Sequence, residues 1–577
     1  MLSKLSLALV NYAALGVVLA ACWGAGRLML RAAGARHAAS LLHPLAIALG
    51  LGAGICVLQW LAIAGLLTRP AVLAAIGAGL VLAALQARHG AGGASEDAPP
   101  QPWTAPARCA ALIGALVLLS TLPMPLRPPM EWDELAYHLP HAQQWAQAHR
   151  LQVTDWLRYP WFPYNFDLLY AGALLFGNDI LPHLLHAGAG WLVAWMVLRL
   201  GLRHFDPLTA CVAATIWLVL SRSDYGRAYI DMGVTLFVLA ACVAFDVWRR
   251  TSSRTWLALA AFAIGVAAGS KYQVLPYLPL FAVAIVWLDR RPATWLVAVL
   301  ALLVPCIYWY ARNALQTGDP FNPVGGKLFG FSDWNLGDYQ GQFEDLRYHA
   351  GLPHWLLWAA PLAWLLPAHR RQPAVRAATL FSAWVLLVWV VTSRYPRYLM
   401  PAYPLLALLA AAGWVQLARW IPWPAGAWRA RAARWAPRAL AAALLVPALV
   451  IVGRGARDIA PTPAARDAVL SHRIPGYGLL AQLQREPVGR IYQLGLEGAI
   501  YYAPQPIWGD WFGPWRYRDV MNLEPAALRE VLAHQHFDAL LIDTARFPDI
   551  AARPDFERHF SLARTDGTVR LYRLQLH

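Results

Sequence analysis

The chain has 577 residues, 59% of them hydrophobic and 14% charged, with a formal net charge of +16 and a mean hydropathy of +0.42. It is too apolar for one soluble domain and long enough for a large helical bundle in lipid. The fold class implied is mainly α: a polytopic membrane bundle of about 13–14 spans of roughly 20 residues each, with amphipathic helices in its external loops and a small C-terminal external α/β domain.

Apolar runs near that length at about 6–27, 44–67 and 70–87 form an N-terminal unit over residues 1–88. Only Met-Leu-Ser-Lys precedes the first run and no convincing small-residue cleavage site accompanies it, so a retained helix is expected and not a removed signal peptide. Residues 89–107, with Gly-Ala-Gly-Gly-Ala-Ser-Glu-Asp-Ala-Pro-Pro, read as a flexible cytoplasmic linker. A membrane core over 108–454 follows. Its first run, at about 108–125, leads into a long loop at about 126–179. Further runs lie at about 180–199, 207–221, 229–248, 255–270, 273–289, 294–311, 353–368, 377–393, 398–418 and 437–453. Over 455–577 the runs shorten to strand-like ones, Arg490-Ile-Tyr-Gln-Leu-Gly, Ala539-Leu-Leu-Ile-Asp and Val569-Arg-Leu-Tyr-Arg-Leu, around a helix-like stretch at 524–534.

Basic residues orient the array. Arg27, Arg31 and Arg36 follow the first run, Arg199 and Arg203 the fifth, and Arg249, Arg250 and Arg254 the seventh. Arg290 and Arg291, Arg370, Arg371 and Arg376, and the cluster from Arg419 to Arg438 fall on the same side, which the positive-inside rule makes cytoplasmic. The loops at about 126–179 and 312–352, and everything beyond 455, are then outside. This predicts a multi-pass membrane protein whose C-terminal domain lies outside. The positive charge is explained by topology, so no nucleic-acid partner is expected beside the membrane lipids.

The stretch Met130-Glu-Trp-Asp-Glu-Leu-Ala-Tyr-His-Leu-Pro places Asp133 and Glu134 directly after a membrane run. Ionised carboxylates are costly at the edge of hydrocarbon, so a pair there is a candidate functional site; a solvated loop is the plain alternative. The sequence continues through Trp145, Tyr159-Pro-Trp-Phe-Pro-Tyr-Asn and Asp167-Leu-Leu-Tyr-Ala-Gly-Ala-Leu-Leu-Phe-Gly. Later come Gly265-Val-Ala-Ala-Gly-Ser-Lys-Tyr-Gln, Tyr308-Trp-Tyr-Ala-Arg-Asn-Ala-Leu-Gln-Thr-Gly-Asp-Pro-Phe-Asn-Pro and Ser393-Arg-Tyr-Pro-Arg-Tyr-Leu-Met-Pro.

In this order, over about 108–420, these segments resemble C-type (GT-C) membrane glycosyltransferases, and within them the lipid A aminoarabinose transferase and protein O-mannosyltransferase group. The resemblance implies an acidic residue in the first large external loop, helices lying on the membrane, a polyprenyl-phosphate-linked sugar as donor, and a cell-envelope lipid, glycan or protein as acceptor. The three preceding helices depart from the simplest family layout, in which the catalytic loop follows the first helix.

Asp133 is the leading catalytic candidate. It would act as general base toward an acceptor hydroxyl, or would orient substrate and stabilise developing positive charge if the acceptor is already a phosphate. Glu134, adjacent and so pointing elsewhere, is the secondary candidate. Lys271, Arg397, Arg394 and Arg312 are candidates for the donor phosphate, because preorganised cations stabilise a departing phosphate more in the transition state than in the ground state. Lys271 stands out because only Lys4 and Lys327 are other lysines; an interfacial snorkelling lysine is its alternative reading. Tyr137, His138, Trp132 and Asp231 are candidate sugar or acceptor contacts, although Asp231 at a helix start would also complement the helix dipole.

The pairs His138 with His141 and His183 with His186 lack an evident third ligand, and all six cysteines fall in predicted spans. No catalytic metal and no cofactor beyond the donor is therefore expected, although some C-type oligosaccharide transferases use a divalent ion. Two other classes compete. A transporter or flippase would concentrate its polar groups near the bilayer midplane, and a non-catalytic scaffold would leave the acidic loop dispensable.

Overall fold

The computed structural model describes residues 2–34, 41–88, 101–421 and 427–575. Ten helices among them are long and apolar enough to cross a membrane, and four shorter apolar helices, Pro207–Leu220, Arg254–Ala268, Tyr272–Leu288 and Trp355–Leu365, join them. Each predicted run coincides with one of these, and the chain is a polytopic membrane helix bundle. Most of the predicted linker, residues 89–100, lies outside the described residues. Its end is shorter than expected, because a helix already starts at Ala105, capped by the Thr104 hydroxyl.

The N-terminal unit is α1 (Leu2–Ala32), α2 (Leu42–Ile63) and α3 (Arg69–Arg88). Without a hydrophobic drive between helices in lipid, small residues set the packing. A Cβ on Gly26 would lie 1.7 Å from the Ala46 carbonyl oxygen, and one on Gly50 1.8 Å from that of Cys22, so α1 and α2 meet backbone to backbone. This unit is tied to the core: Leu67 N–H donates to His149 O at 3.1 Å and Leu151 N–H to Ala62 O at 3.0 Å.

After α4 (Ala105–Thr121) the chain reaches the acidic loop, where Glu134–His138 forms a single π-type turn that runs into α5 (Leu139–Ala148). With 10 and 8 residues, α5 and α6 (Asp167–Leu174) are too short to cross a membrane. The core continues through α7 (Ile180–His204), α8 (Pro207–Leu220), α9 (Asp231–Thr251), α10 (Arg254–Ala268), α11 (Leu278–Leu288) and α12 (Pro292–Thr317). The helices Pro373–Thr392, Tyr403–Trp420 and Ala427–Gly455 complete it. The functional geometry depends on three breaks at one end of this bundle: the start of α9 at Asp231, the turn 269–277 between α10 and α11, and the tight turns at Pro396–Ala402 before Tyr403.

Beyond Gly455 stands a five-stranded sheet in the order β2-β1-β3-β5-β4. Here β1 is Ile491–Leu494, β2 Ile507–Trp508, β3 Ala539–Asp543, β4 Phe560–Asp566 and β5 Val569–Leu574. β1 pairs in parallel with β2 and β3, while β5 runs antiparallel to β3 and β4. Every residue of β3 is buried, as its apolar run without alternation requires. The helix Pro525–His534 occupies the place of the predicted helical stretch.

This domain sits on the end of the bundle that carries the acidic loop. Tyr502 Oη donates to Pro129 O at 2.7 Å, and Arg158 grips Asp510 with Nη2 at 2.6 Å and Nε at 2.9 Å. Arg516 Nη2 donates to Asp338 at 2.7 Å, joining the sheet domain to the second loop, 312–352.

Candidate active site

The three breaks and the acidic loop bring four charged side chains together from distant positions. Arg397 Nη2 donates to Asp133 Oδ2 at 2.6 Å, and its Nε lies 3.6 Å from Asp231 Oδ2. Lys271 Nζ donates to Asp231 Oδ1 at 2.7 Å. Aromatic rings wall the group: Arg397 Cζ is 4.8 Å from the Tyr229 ring centroid and 5.5 Å from that of Tyr395, and Lys271 Nζ is 4.6 Å from that of Tyr398. Such cation–ring contacts gain strength where water is excluded. Two carboxylates and two cations make the cluster neutral, which is what lets it sit at a membrane edge.

The charges tune one another. Burial pushes the Asp133 carboxyl up, but the Arg397 guanidinium, with His138 and a Tyr137 hydrogen bond, outweighs it and holds the group below the usual carboxylate range. Burial pulls the Lys271 ammonium below the usual lysine range despite Asp231. Arg397 Nε is buried and makes no hydrogen bond among the described residues. An ammonium has three donors, and Lys271 uses one of them on Asp231. The Lys271 ammonium therefore retains cationic donors for an incoming anion.

Of the residues expected from sequence, Asp133, Tyr137, Lys271, Arg397 and Asp231 converge. Asp231 stands at the first position of α9, where an acid suits the dipole, yet its carboxylate is also the bridge between the two cations. Glu134 is separated from Asp133. It is fully buried, accepts from the backbone N–H groups of Met130 at 2.6 Å, Glu131 at 2.8 Å and Ala228 at 2.5 Å, and meets His183 Nε2 at 2.8 Å. With its oxygens so engaged, it folds the loop and does not face the cluster. His138 turns to Asp167, Nδ1 to Oδ1 at 2.7 Å, with both side chains buried. Trp132 turns to the sheet domain, its ring centroid 4.5 Å from Arg158 Cζ and its edge against Gly498.

Arg312 and Arg394 do not join the cluster. Arg312 donates to Asn313 Oδ1 at 2.8 and 3.0 Å and lies 5.1 Å from the Trp309 ring centroid, packed inside the bundle. Arg394 is exposed in a left-handed backbone conformation, φ 54°, and links to Gly351. Trp145, which stood beside the acids in sequence, is a core residue 1% exposed.

Sequence reasoning missed the anchor Asn165. Its Nδ2 donates to Pro305 O at 2.8 Å, and its Oδ1 accepts from Trp309 Nε1 at 2.7 Å and from Gln59 Nε2 at 3.1 Å, pinning the acidic loop to α12 and α2. The only signal was its place at the end of the Pro-rich aromatic patch. Among the described residues no group of three or more His, Cys, Asp or Glu side chains could hold a metal ion.

The fold and this cluster define a class: a polytopic membrane bundle with a mixed acid–cation site at the mouth of its helices, roofed by a small α/β domain. The chain belongs to the family of the Shigella flexneri uncharacterized protein SF2092/S2214, to which it is 30% identical over 143 residues, 73% of that protein and 21% of this chain. SF2093/S2215 of the same organism is 33% identical over 125 residues, so this chain spans 63% of that relative's length. A family model described as SF2091/S2213 matches residues 465–573, which contain the sheet. Among solved structures, ArnT from Cupriavidus metallidurans aligns at 16% identity over 80% of this chain and 97% of its own, with TM-scores of 0.47 bound to undecaprenyl phosphate and 0.49 in the apo state.

Proposed function

We propose that the protein is a glycosyltransferase of the external face of the bacterial inner membrane, moving a sugar from a polyprenyl-phosphate-linked donor to a cell-envelope acceptor. The observation that carries this reading is the Asp133–Arg397–Asp231–Lys271 cluster, assembled from the very segments whose sequence resembles C-type glycosyltransferases. Arg397 and Lys271 supply donors for the donor phosphate. As the bond from the anomeric carbon to the phosphate oxygen breaks, negative charge grows on that oxygen, and cations already held in place by Asp133 and Asp231 need little reorganisation to stabilise it.

Asp133, kept ionised by Arg397, is a weak base. It suits two tasks: stabilising positive charge that develops on the sugar, and accepting the acceptor hydroxyl's proton late, once the new bond has acidified it. Mass spectrometry of envelope glycans tests the reading. A single sugar modification should disappear without the protein and return with the wild-type chain; an unchanged glycan profile would reject it.

A further inference from the structure

A second charged site lies at the other end of the bundle. α7 begins at Ile180 near the acidic loop, where His183 meets Glu134, and Arg199 is sixteen residues further along, roughly 24 Å at 1.5 Å per residue. At that end Arg27 of α1 is only 8% exposed, and its Nε and Nη1 make no hydrogen bond among the described residues. Arg31 follows one turn later. His43 at the start of α2 accepts from Trp23 Nε1 at 3.0 Å and stacks on Trp195 of α7 at 6.4 Å. Arg27 and Arg199 both lie within electrostatic reach of the His43 ring.

Residues 1–95 contain neither Asp nor Glu, so no acid of the N-terminal unit answers Arg27 or Arg31. No ion pair joins Arg27 or Arg31 to a carboxylate among the described residues. A buried guanidinium with unused donors and no counter-charge is strongly unfavourable. The side chain is held at a fixed seam, since the adjacent Gly26 brings α1 into backbone contact with α2. An anion would supply that counter-charge, and phosphate matches the guanidinium fork.

Trp23 and Trp195, the latter 41% exposed, flank the site as interfacial residues flank headgroups. We propose that Arg27, Arg31, His43 and Arg199 bind the phosphate headgroup of an anionic membrane lipid, which locks the N-terminal unit onto α7. This site is independent of the transferase reading. Basic clefts between helices at the inner leaflet are suited to such lipids.

The test uses the full-length protein, delipidated in neutral detergent and titrated with dioleoylphosphatidylglycerol or dioleoylphosphatidylcholine, read by native mass spectrometry and thermal midpoint. The wild-type chain should retain one phosphatidylglycerol in preference to phosphatidylcholine. Arg27→Met should weaken that binding at least about tenfold, as loss of charge-assisted hydrogen bonds requires, and should abolish the rise in midpoint. In phosphatidylcholine alone the variant should be no less stable than wild type, because an uncompensated charge has gone. Equal stabilisation of both chains by phosphatidylglycerol would overturn the proposal. So would an equal loss of stability by Arg27→Met in both lipids, or full stabilisation of the wild type by inorganic phosphate without lipid. Arg31→Gln serves as the second variant if Arg27→Met is not recovered folded, with the same expected loss of lipid preference.

Discussion

The grip between the acidic loop and the sheet domain allows a worked prediction. Arg158 and Asp510 are each 7% exposed and share hydrogen bonds of 2.6, 2.9 and 3.0 Å. Asp510→Asn keeps the shape and removes the charge, leaving a buried guanidinium whose next counter-charge, Glu497, is 3.8 Å away. Removing one partner of a buried pair costs about 3–5 kcal/mol, and Glu497 moves the expectation to the lower end, about 3 kcal/mol. At roughly 1.4 kcal/mol per decade, that is about a hundredfold more opening of the interface. Hydrogen exchange should show it as about a hundredfold faster exchange in the peptides covering residues 126–138 and β1, with the membrane helices unaffected. Pairing it with Arg158→Met should recover about 2 kcal/mol, since contacting residues couple. Exchange within about threefold of wild type, or strictly additive effects, would refute the claim that this pair fastens the domain to the loop.

Glu134→Gln should lower the folded yield and stability by about 3 kcal/mol, because a buried, fully bonded charge is removed; wild-type stability would show that the carboxylate does not hold the loop. Lys271→Met should weaken polyprenyl-phosphate binding to the purified protein at least about tenfold, and unchanged affinity would take Lys271 out of the donor site. Burial, reinforced by Asp338, raises Asp333 to about 6. The folded state then holds a proton that the unfolded chain has released above about pH 4, so this group's contribution to stability falls as pH rises from about 4 to 6. Asp333→Asn should raise the melting midpoint at pH 7.5 and leave it unchanged at pH 4; equal shifts at both values would contradict the assignment.

Much of the bundle was legible because a span needs length and apolarity, both local properties, and so Leu42–Ile63 or Asp231–Thr251 could be found without partners. The ends were less so. Ala105 starts a helix inside a Pro-rich stretch because Thr104 caps it and a proline is welcome in the first turn. At the site, Asp133, Lys271 and Arg397 could be singled out because charges at membrane edges are rare. Their sequence could not show that Asp231 ties both cations together, since that contact joins α9 to two separate turns. Arg312 and Arg394 had the same local credentials as Arg397. What separates them is tertiary: two indole rings and Asn313 hold one within the bundle, and a backbone link to Gly351 fixes the other outside it. Glu134 looked like half of a pair until its backbone partners were visible.

The central claim is that Asp133 takes part in sugar transfer at the mouth of the bundle. Its most direct test is the turnover of purified Asp133→Asn, matched to wild type in expression, monodispersity and hydrogen-exchange protection, with transfer to the acceptor followed directly. The substitution is nearly isosteric, and the account predicts an intact fold with transfer reduced at least about a hundredfold, the lower range for a lost general acid–base contribution. Normal turnover by the folded variant would contradict it.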